Sequence, residues 1–221
     1  MPDEAPAAYR YPRARIAVFA RAPLPGQVKT RLQAELGPEG CLLLYTAMLD
    51  RLLATLRSAE LAPVELWVSS NIDHKVFLSH CNKKDIYLQN GQDLGQKMSW
   101  TAGRVLANSA VGGVLIIGTD CPAMDAAYLE GALIALQQGN DVVIGPAEDG
   151  GYVLIGLNEP CPGLFQGIEW GSERVLSQTL QRVAQLKLAY TLLEPLWDVD
   201  RPQDLQRLAE LKPPLGMDLP V

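Results

Sequence analysis

The chain has 221 residues, 48% of them hydrophobic and 20% charged, a composition typical of a globular protein with a sizeable core. Its net charge of −6 argues against a general nucleic-acid or acidic-membrane binder. No apolar run approaches the roughly 20 residues needed to span a bilayer, and residues 1–15 lack the apolar segment of a secretory signal. We therefore expect a cytoplasmic protein that binds neither nucleic acid nor membranes, with its four cysteines reduced.

Strand-like and helix-like segments alternate along the chain. Short apolar or alternating runs predict strands at 15–21, 63–70, 85–90, 112–118, 141–146, 152–157 and 188–194. Helical spacing of apolar residues, with plausible caps, predicts helices at 38–58, 75–81, 93–108, 126–139, 172–186 and 201–211. This alternation predicts an α/β fold, a mostly parallel sheet with helices on both faces. We expect a single domain over 15–211, with flexible tails at 1–14 and 212–221.

Ligands of such sheets bind beyond the carboxyl ends of the strands, so the segments after each strand are the first candidates for a site. The loop "ARAPLPGQVKTRL" (20–32) follows the first strand. Pro25 and Gly26 shape a tight turn in it, and Arg21, Lys29 and Arg31 supply cations of the kind that bind phosphate groups. The loop is not a Walker A sequence, and a solvated basic loop is the alternative interpretation.

Carboxylates follow two other predicted strands. Asp120 comes directly after the most apolar strand, where a carboxylate can bind Mg²⁺ or Mn²⁺ and, through the ion, a diphosphate. Asp198 and Asp200 follow the last strand and point the same way if the chain there is extended. The alternatives are a turn or helix-capping role for Asp120 and a capping role for Asp200. The sequence leaves the role of Asp198 open.

The stretch "EDGGY" (148–152) lies between two strongly apolar strands. Gly150 and Gly151 allow the backbone to approach a ligand closely, which makes Glu148 and Asp149 candidates for contact with a substrate hydroxyl. A hairpin turn with incidental acids is the alternative. In "NGQDLGQKM" (90–98), the turn around Gly95 opens a helix whose amides could meet a base or ribose, and simple helix capping is the alternative there.

Taken together, "FARAPLPGQVKTRL", "GQDLGQKM", "IIGTDCPAM", "GPAEDGGYVLIGL", "WGSERVL" and "DVDRPQDL" resemble a bacterial family of proposed GT-A-type glycosyltransferases. That family was first catalogued as a domain of unknown function and is associated with radical-SAM genes and arsenosugar biosynthesis. The resemblance covers about residues 15–210. More distantly, the chain is similar to 2-phospholactate guanylyltransferases and molybdenum-cofactor nucleotidyltransferases.

The resemblance implies a Rossmann-like nucleotide-diphospho-sugar transferase fold. It implies that Lys29 and Arg31 face nucleotide phosphates, that Asp120 stands for the metal-binding aspartate of a D-x-D element, and that Asp200 is the second metal ligand. Apart from the resemblance, if "EDGGY" shapes the acceptor side, Glu148, Gly150, Gly151 and Tyr152 lie there and Asp149 is the candidate catalytic carboxylate. Two departures are a first loop without G-x-G-x-R and a D-x-D element reduced to "GTDC".

Three functions remain open at this point. The first is a Mg²⁺- or Mn²⁺-dependent glycosyltransferase that moves a sugar from a sugar nucleotide to a small-molecule acceptor. The second is a nucleotidyltransferase that uses a nucleoside triphosphate and releases pyrophosphate. The third is a non-catalytic nucleotide-binding module, which would have no need of three acids at strand ends.

Overall fold

A seven-stranded sheet forms the centre of the computed structural model, which describes residues 9–208 and 210–215. Its strands are β1 (Ala14–Ala20), β2 (Val64–Val68), β3 (Ile86–Leu88), β4 (Gly113–Ile117), β5 (Val142–Pro146), β6 (Tyr152–Leu157) and β7 (Tyr190–Leu192). The spatial order is β3-β2-β1-β4-β6-β5-β7, and β6 alone runs antiparallel to its neighbours in this sheet. The predicted α/β class and mostly parallel sheet are confirmed.

Helices connect most of the strands. In the described part of the chain they are α1 (Gln33–Ala59), α2 (Lys75–His80), α3 (Leu94–Leu106), α4 (Ala126–Gln137), α5 (Val175–Leu186) and α6 (Asp204–Leu208). Short 3-10 turns occur at Thr30–Leu32, Lys83–Asp85 and Pro162–Phe165. None of these helices is long and apolar enough to cross a membrane.

Side chains of successive strand residues divide between two apolar layers, because they point to opposite faces of the sheet. Val18 belongs to the layer that packs against α1 and α4, whereas its neighbour Ala17 belongs to the layer that packs against α3 and α5. Leu115 and Ile116 in β4 divide in the same way. Helices therefore cover both faces, as the sequence predicts. They leave the ends of the strands uncovered.

Of three sequence-based boundaries, one is as predicted and two need correction. A break at Gly37 (φ 65°, ψ 171°) lies within α1, so the continuous helix begins at Pro38, where the sequence predicts it. By contrast, α5 begins at Val175 and not at Ser172, because residues 169–174 form turns in which Ser172 Oγ accepts from the Arg174 N–H at 3.2 Å. The prediction of a loose 1–14 segment is wrong for residues 10–14, because Tyr11 is buried and pairs with the Leu61 carbonyl. Residues 1–8 and 216–221 lie outside the described residues.

Candidate active site

A cavity of about 850 Å³ lies at the carboxyl-terminal ends of the parallel strands. Its walls come from the segments that follow β1, β2, β3, β4 and β5, together with the start of β6 and the 198–200 segment. The volume falls within the roughly 300–1,000 Å³ usual for small-molecule sites. The lining residues with ionisable side chains other than Cys and Tyr are five carboxylates and four cations: Asp93, Asp120, Asp149, Asp198, Asp200, Arg21, Lys29, Arg31 and Lys97.

Backbone hydrogen bonds bring the two predicted metal ligands to the same place. The chain after β7 runs beside the end of β5, where the Leu196 N–H donates to the Pro146 carbonyl at 3.0 Å. It then reaches the segment after β4, where the Val199 N–H donates to the Asp120 carbonyl at 2.9 Å. Val199 is fully buried among α1 and α6 side chains, so Asp198 and Asp200 on either side of it are left to line the cavity. The structure thus places Asp120 and Asp200 side by side.

Lys29 lies between these carboxylates. Its ammonium group forms ion pairs with Asp120 and with Asp200 Oδ1, the latter at 3.2 Å, and donates to the Val199 carbonyl at 2.7 Å. Its side chain is only 4% exposed. Burial alone would lower the pKa of Lys29, but the two carboxylates outweigh burial and the pKa is raised, so the group is a permanent cation. Lys29 is therefore paired with carboxylates, and its predicted contact with nucleotide phosphates would have to be made from this paired position.

The backbone of Lys29 is in the left-handed region, with φ 48° and ψ 39°. Few residues other than glycine adopt this conformation, and it recurs at functional sites where the surrounding structure enforces it. Here the Lys29 carbonyl accepts hydrogen bonds from the Leu32 N–H at 2.9 Å and from the buried Cys41 thiol at 3.3 Å. Arg31, 65% exposed, reaches Asp200 Oδ2 at 3.3 Å from the cavity rim.

Neighbouring aspartates make the local turn and capping hydrogen bonds near Asp120 and Asp200. Asp125 caps α4 by accepting the Tyr128 N–H at 2.8 Å. Asp204 Oδ2 accepts the N–H groups of Asp200 and Arg201 at 2.9 and 2.6 Å. The side chains of Asp120 and Asp200 are consequently free to face the cavity and its cations.

Asp198 is the site residue whose role the sequence left open. Burial and then the neighbouring carboxylates of Asp149, Asp200 and Asp120 raise its pKa to about 6. Perturbed carboxylates of this kind cluster at functional sites. The sequence signal for it is the "DVD" spacing, which places Asp198 and Asp200 on the same side of an extended segment.

Tyr45 is a residue that the sequence reasoning missed. Its hydroxyl accepts from the Arg21 N–H at 2.8 Å, donates to the Arg21 carbonyl at 3.0 Å and lies 3.4 Å from Thr119 Oγ1. Burial raises its pKa to about 12, so the group stays a neutral phenol. It thereby fixes the segments after β1 and β4 relative to one another. The available signal was a tyrosine on the leucine-rich face of α1.

The residues of the "EDGGY" stretch make different contacts. Asp149 takes part in the turn, because its Oδ1 accepts the Gly151 N–H at 2.8 Å, and it also lines the cavity. Glu148 accepts hydrogen bonds from the two terminal nitrogens of Arg207, at 2.6 and 3.0 Å.

Gly150 (φ 90°) lies against the Glu173 backbone, so its close approach is to the chain itself. Tyr152 lines the cavity, and its hydroxyl is buried.

Three of the predicted nucleotide-binding residues do not line the cavity. Pro25 and Gly26 (φ 74°) are exposed and form the turn that precedes Lys29. Gly95 is buried under Trp170, and a methyl group added there would lie 2.5 Å from the ring carbon Cζ2. Around Gly95, the side chains that do line the cavity are Gln92, Asp93, Leu94 and Lys97. The glycine supports the site through packing.

Residues 52–172 match the family described as an uncharacterized protein conserved in bacteria, DUF2064. A crystal structure of an inferred nucleotide-diphospho-sugar transferase from Desulfovibrio desulfuricans G20 shares 30% sequence identity with the chain. That match covers 89% of this chain and 86% of the other, with a TM-score of 0.81. No curated protein matches the chain.

Two more distant structures share the fold. CMP:2-keto-3-deoxy-manno-octonic acid synthetase in complex with CTP is 10% identical, with a TM-score of 0.57 and coverage of 90% of this chain and 98% of the other. Rv0371c from Mycobacterium tuberculosis H37Rv, in complex with manganese, is 16% identical, with a TM-score of 0.53 and the same coverage. The chain therefore has the nucleotide-diphospho-sugar transferase fold, and these two proteins share that fold.

Proposed function

The chain belongs to the DUF2064 family of bacterial proteins, and we propose that it is a metal-dependent glycosyltransferase that moves a sugar from a nucleotide-diphospho-sugar to a small acceptor. The observation that carries this proposal is the convergence of Asp120, Asp149, Asp198 and Asp200 with a basic loop on one cavity at the strand ends. The 30% identical relative, named for its inferred use of nucleotide-diphospho-sugars, supports the same donor class.

Asp120 and Asp200 would hold a Mg²⁺ or Mn²⁺ ion. Their oxygens already share one cation, the Lys29 ammonium, so the space between them suits positive charge. Within the described residues no three His, Cys, Asp or Glu side chains are grouped closely enough to hold a metal ion. Two carboxylates nevertheless fit Mg²⁺, which proteins commonly hold through one or two carboxylates plus substrate phosphates and water. The manganese complex of Rv0371c supports the choice of ion.

The cations of the cavity would bind the donor. Arg21, Lys29 and Arg31 lie within eleven residues along the loop after β1, and all three line the cavity. A charge-assisted hydrogen bond to a phosphate oxygen is worth about 1.5–3 kcal/mol. The bound ion would supply stabilisation for the departing diphosphate. The loop's cations would add to it by holding the same phosphate oxygens.

Asp149 is the proposed base. A bond forms between the acceptor oxygen and the anomeric carbon while the bond from that carbon to the diphosphate breaks, and the acceptor proton passes to the Asp149 carboxylate. The Gly151 N–H, bonded to Asp149 Oδ1 at 2.8 Å, fixes the carboxylate's orientation. The other oxygen, Oδ2, is then the one proposed to take the proton.

Product analysis tests the proposal. Purified protein with Mn²⁺ and a panel of sugar nucleotides should release nucleoside diphosphate slowly, with water as a poor acceptor. Asp149→Asn keeps an oxygen for the Gly151 N–H and removes the base, so it should bind the donor normally while transfer falls by about 100-fold or more. An Asp149→Asn variant that transfers sugar at the wild-type rate would remove Asp149 from the mechanism.

The second candidate is nucleotidyl transfer, which the fold shared with a CTP-bound synthetase favours. It predicts pyrophosphate release from a nucleoside triphosphate. That result, with every sugar nucleotide left intact, would replace glycosyl transfer by nucleotidyl transfer. Nucleotide binding without turnover of either substrate would instead support the non-catalytic module.

A further inference from the structure

A second cavity, of about 530 Å³, adjoins the first. Both cavities are lined by Arg31, Asp149, Asp198 and Asp200, so a molecule in either cavity can contact Asp149. Its remaining walls come from the turn before α5, from Trp197 and from α6. A ligand there would meet a donor sugar at the shared carboxylates.

Negative charge dominates this second cavity. Its lining contains six carboxylates and three guanidinium groups: Glu148, Asp149, Glu173, Asp198, Asp200, Asp204, Arg31, Arg201 and Arg207. Two of the guanidinium groups are already paired with lining carboxylates, because Arg207 holds Glu148 and Arg31 contacts Asp200. The third, Arg201, is exposed at the start of the segment that leads into α6. The cavity therefore presents hydrogen-bond acceptors and a negative field to its ligand.

Arg207 is also held on its other side. Its guanidinium carbon lies 4.6 Å above the centroid of the Trp197 ring, while its nitrogens hold Glu148. A guanidinium with both partners in place gains less from a further anion than a free one does. Trp197 adds an apolar surface to the same wall.

We propose that the second cavity binds the acceptor, and that the acceptor is an uncharged or cationic compound with several hydroxyl groups. The proposal rests on the proposed function, because it takes the first cavity as the donor site. Hydroxyl and ammonium groups donate hydrogen bonds to carboxylates. Phosphate and carboxylate groups cannot do so and are repelled by the surplus of like charge, so phosphorylated and acidic compounds are excluded.

Four hexoses of one ring type test the charge selection: glucose, glucosamine, glucose 6-phosphate and glucuronic acid. Each sugar is added at equal concentration to the protein with Mn²⁺ and a sugar nucleotide that the protein hydrolyses. The release of nucleoside diphosphate is measured and compared with the rate when water is the acceptor. The neutral and cationic sugars should accelerate release at least about 10-fold more than the two anionic sugars, a difference of about 1.4 kcal/mol. Equal or stronger acceleration by the anionic sugars, or acceleration by none of the four, overturns the proposal.

Binding is measured separately, by saturation-transfer NMR of each sugar with the protein alone, so the result does not depend on turnover. Binding of the anionic sugars as strong as that of the others overturns the proposal. Preference for the neutral and cationic sugars supports the charge selection of the cavity even where no donor is turned over. In that case the proposed function fails while the cavity's selectivity stands.

A charge-reversal variant locates the effect. Glu173→Lys should reduce the preference for neutral over anionic sugars several-fold, because Glu173 lines the second cavity with an exposed side chain. Glu159→Lys makes the same change at an exposed position after the far end of β6 and should leave the preference as it is. The same shift in both variants would place the selectivity in overall charge and overturn the assignment to this cavity.

Discussion

Lys29 donates a hydrogen bond to Asp200 at 3.2 Å across a sequence separation of 171 residues. The same ammonium is paired with Asp120 and is almost completely buried. Two carboxylates this close to one another need a cation to offset their repulsion. Lys29 supplies that cation, so it and a divalent ion would compete for the same oxygens.

Replacing Lys29 by methionine should therefore separate two effects. Removing the ammonium frees Asp120 and Asp200, so Mn²⁺ should bind about 10-fold more tightly. Nucleotide binding without metal should weaken by about 10- to 100-fold, because a charge-assisted contact worth about 1.5–3 kcal/mol is lost. Isothermal titration calorimetry of wild type and variant measures both constants.

Lys75→Met is the matched control, since Lys75 is exposed on α2 and does not line the cavity. It should change neither constant. Weaker Mn²⁺ binding by the Lys29 variant would show that Asp120 and Asp200 do not form the metal site.

Asp120→Asn should abolish the Mn²⁺-dependent part of nucleotide binding. The fold should survive, because Lys29 keeps Asp200 and the Val199 carbonyl as partners, with the free energy of unfolding lowered by about 1–2 kcal/mol. Asp125→Asn is the control: Asn caps helices as well as Asp, and Asp125 does not line the cavity. Undiminished Mn²⁺-dependent binding in Asp120→Asn would contradict the assignment.

Two glycines of α3 give opposite predictions for one substitution. Gly95→Ala should destabilise the protein by about 1–3 kcal/mol, because the new methyl group meets the Trp170 ring. Gly103→Ala adds a methyl group with no atom within 4 Å and should stabilise the protein by about 0.5–1 kcal/mol through helix propensity. Urea denaturation compares them. A Gly95→Ala protein of normal stability but impaired nucleotide binding would return Gly95 to a direct binding role.

The raised pKa of Asp198 predicts a pH dependence of stability. Its ordinary value is 3.8 and its value in the fold is about 6, so between these pH values the native state holds the proton more tightly than the unfolded chain does. The contribution of Asp198 to the free energy of unfolding therefore falls as pH rises from about 4 to about 6. Relative to wild type, Asp198→Asn should gain stability over this window in urea titrations at pH 4, 5, 6 and 7. A pH-independent difference would show that Asp198 does not titrate there.

The sequence by itself determined the fold class and most of the site's residue types. Period-two and helical spacings respond to local backbone geometry and to the need to bury one face, and both can be read along the chain. Asp93, for example, caps α3 as its position predicts, accepting the Gln96 N–H at 2.8 Å. The rule that ligands bind at strand ends selects Asp120, Asp149 and Asp200 from their positions in the sequence.

The tertiary structure alone decided which of these groups meet. The pairing of Lys29 with Asp120 and Asp200 requires β1, β4 and the segment after β7 to lie next to one another. No local sequence pattern specifies that arrangement. The raised pKa of Asp198 depends on burial and on three carboxylates brought near it. Likewise, the acidic second cavity exists because α6 and the turn before α5 meet beside Asp149. Electrostatic and packing energies depend on distances in space, and distances between remote residues are fixed only when the whole sheet has formed.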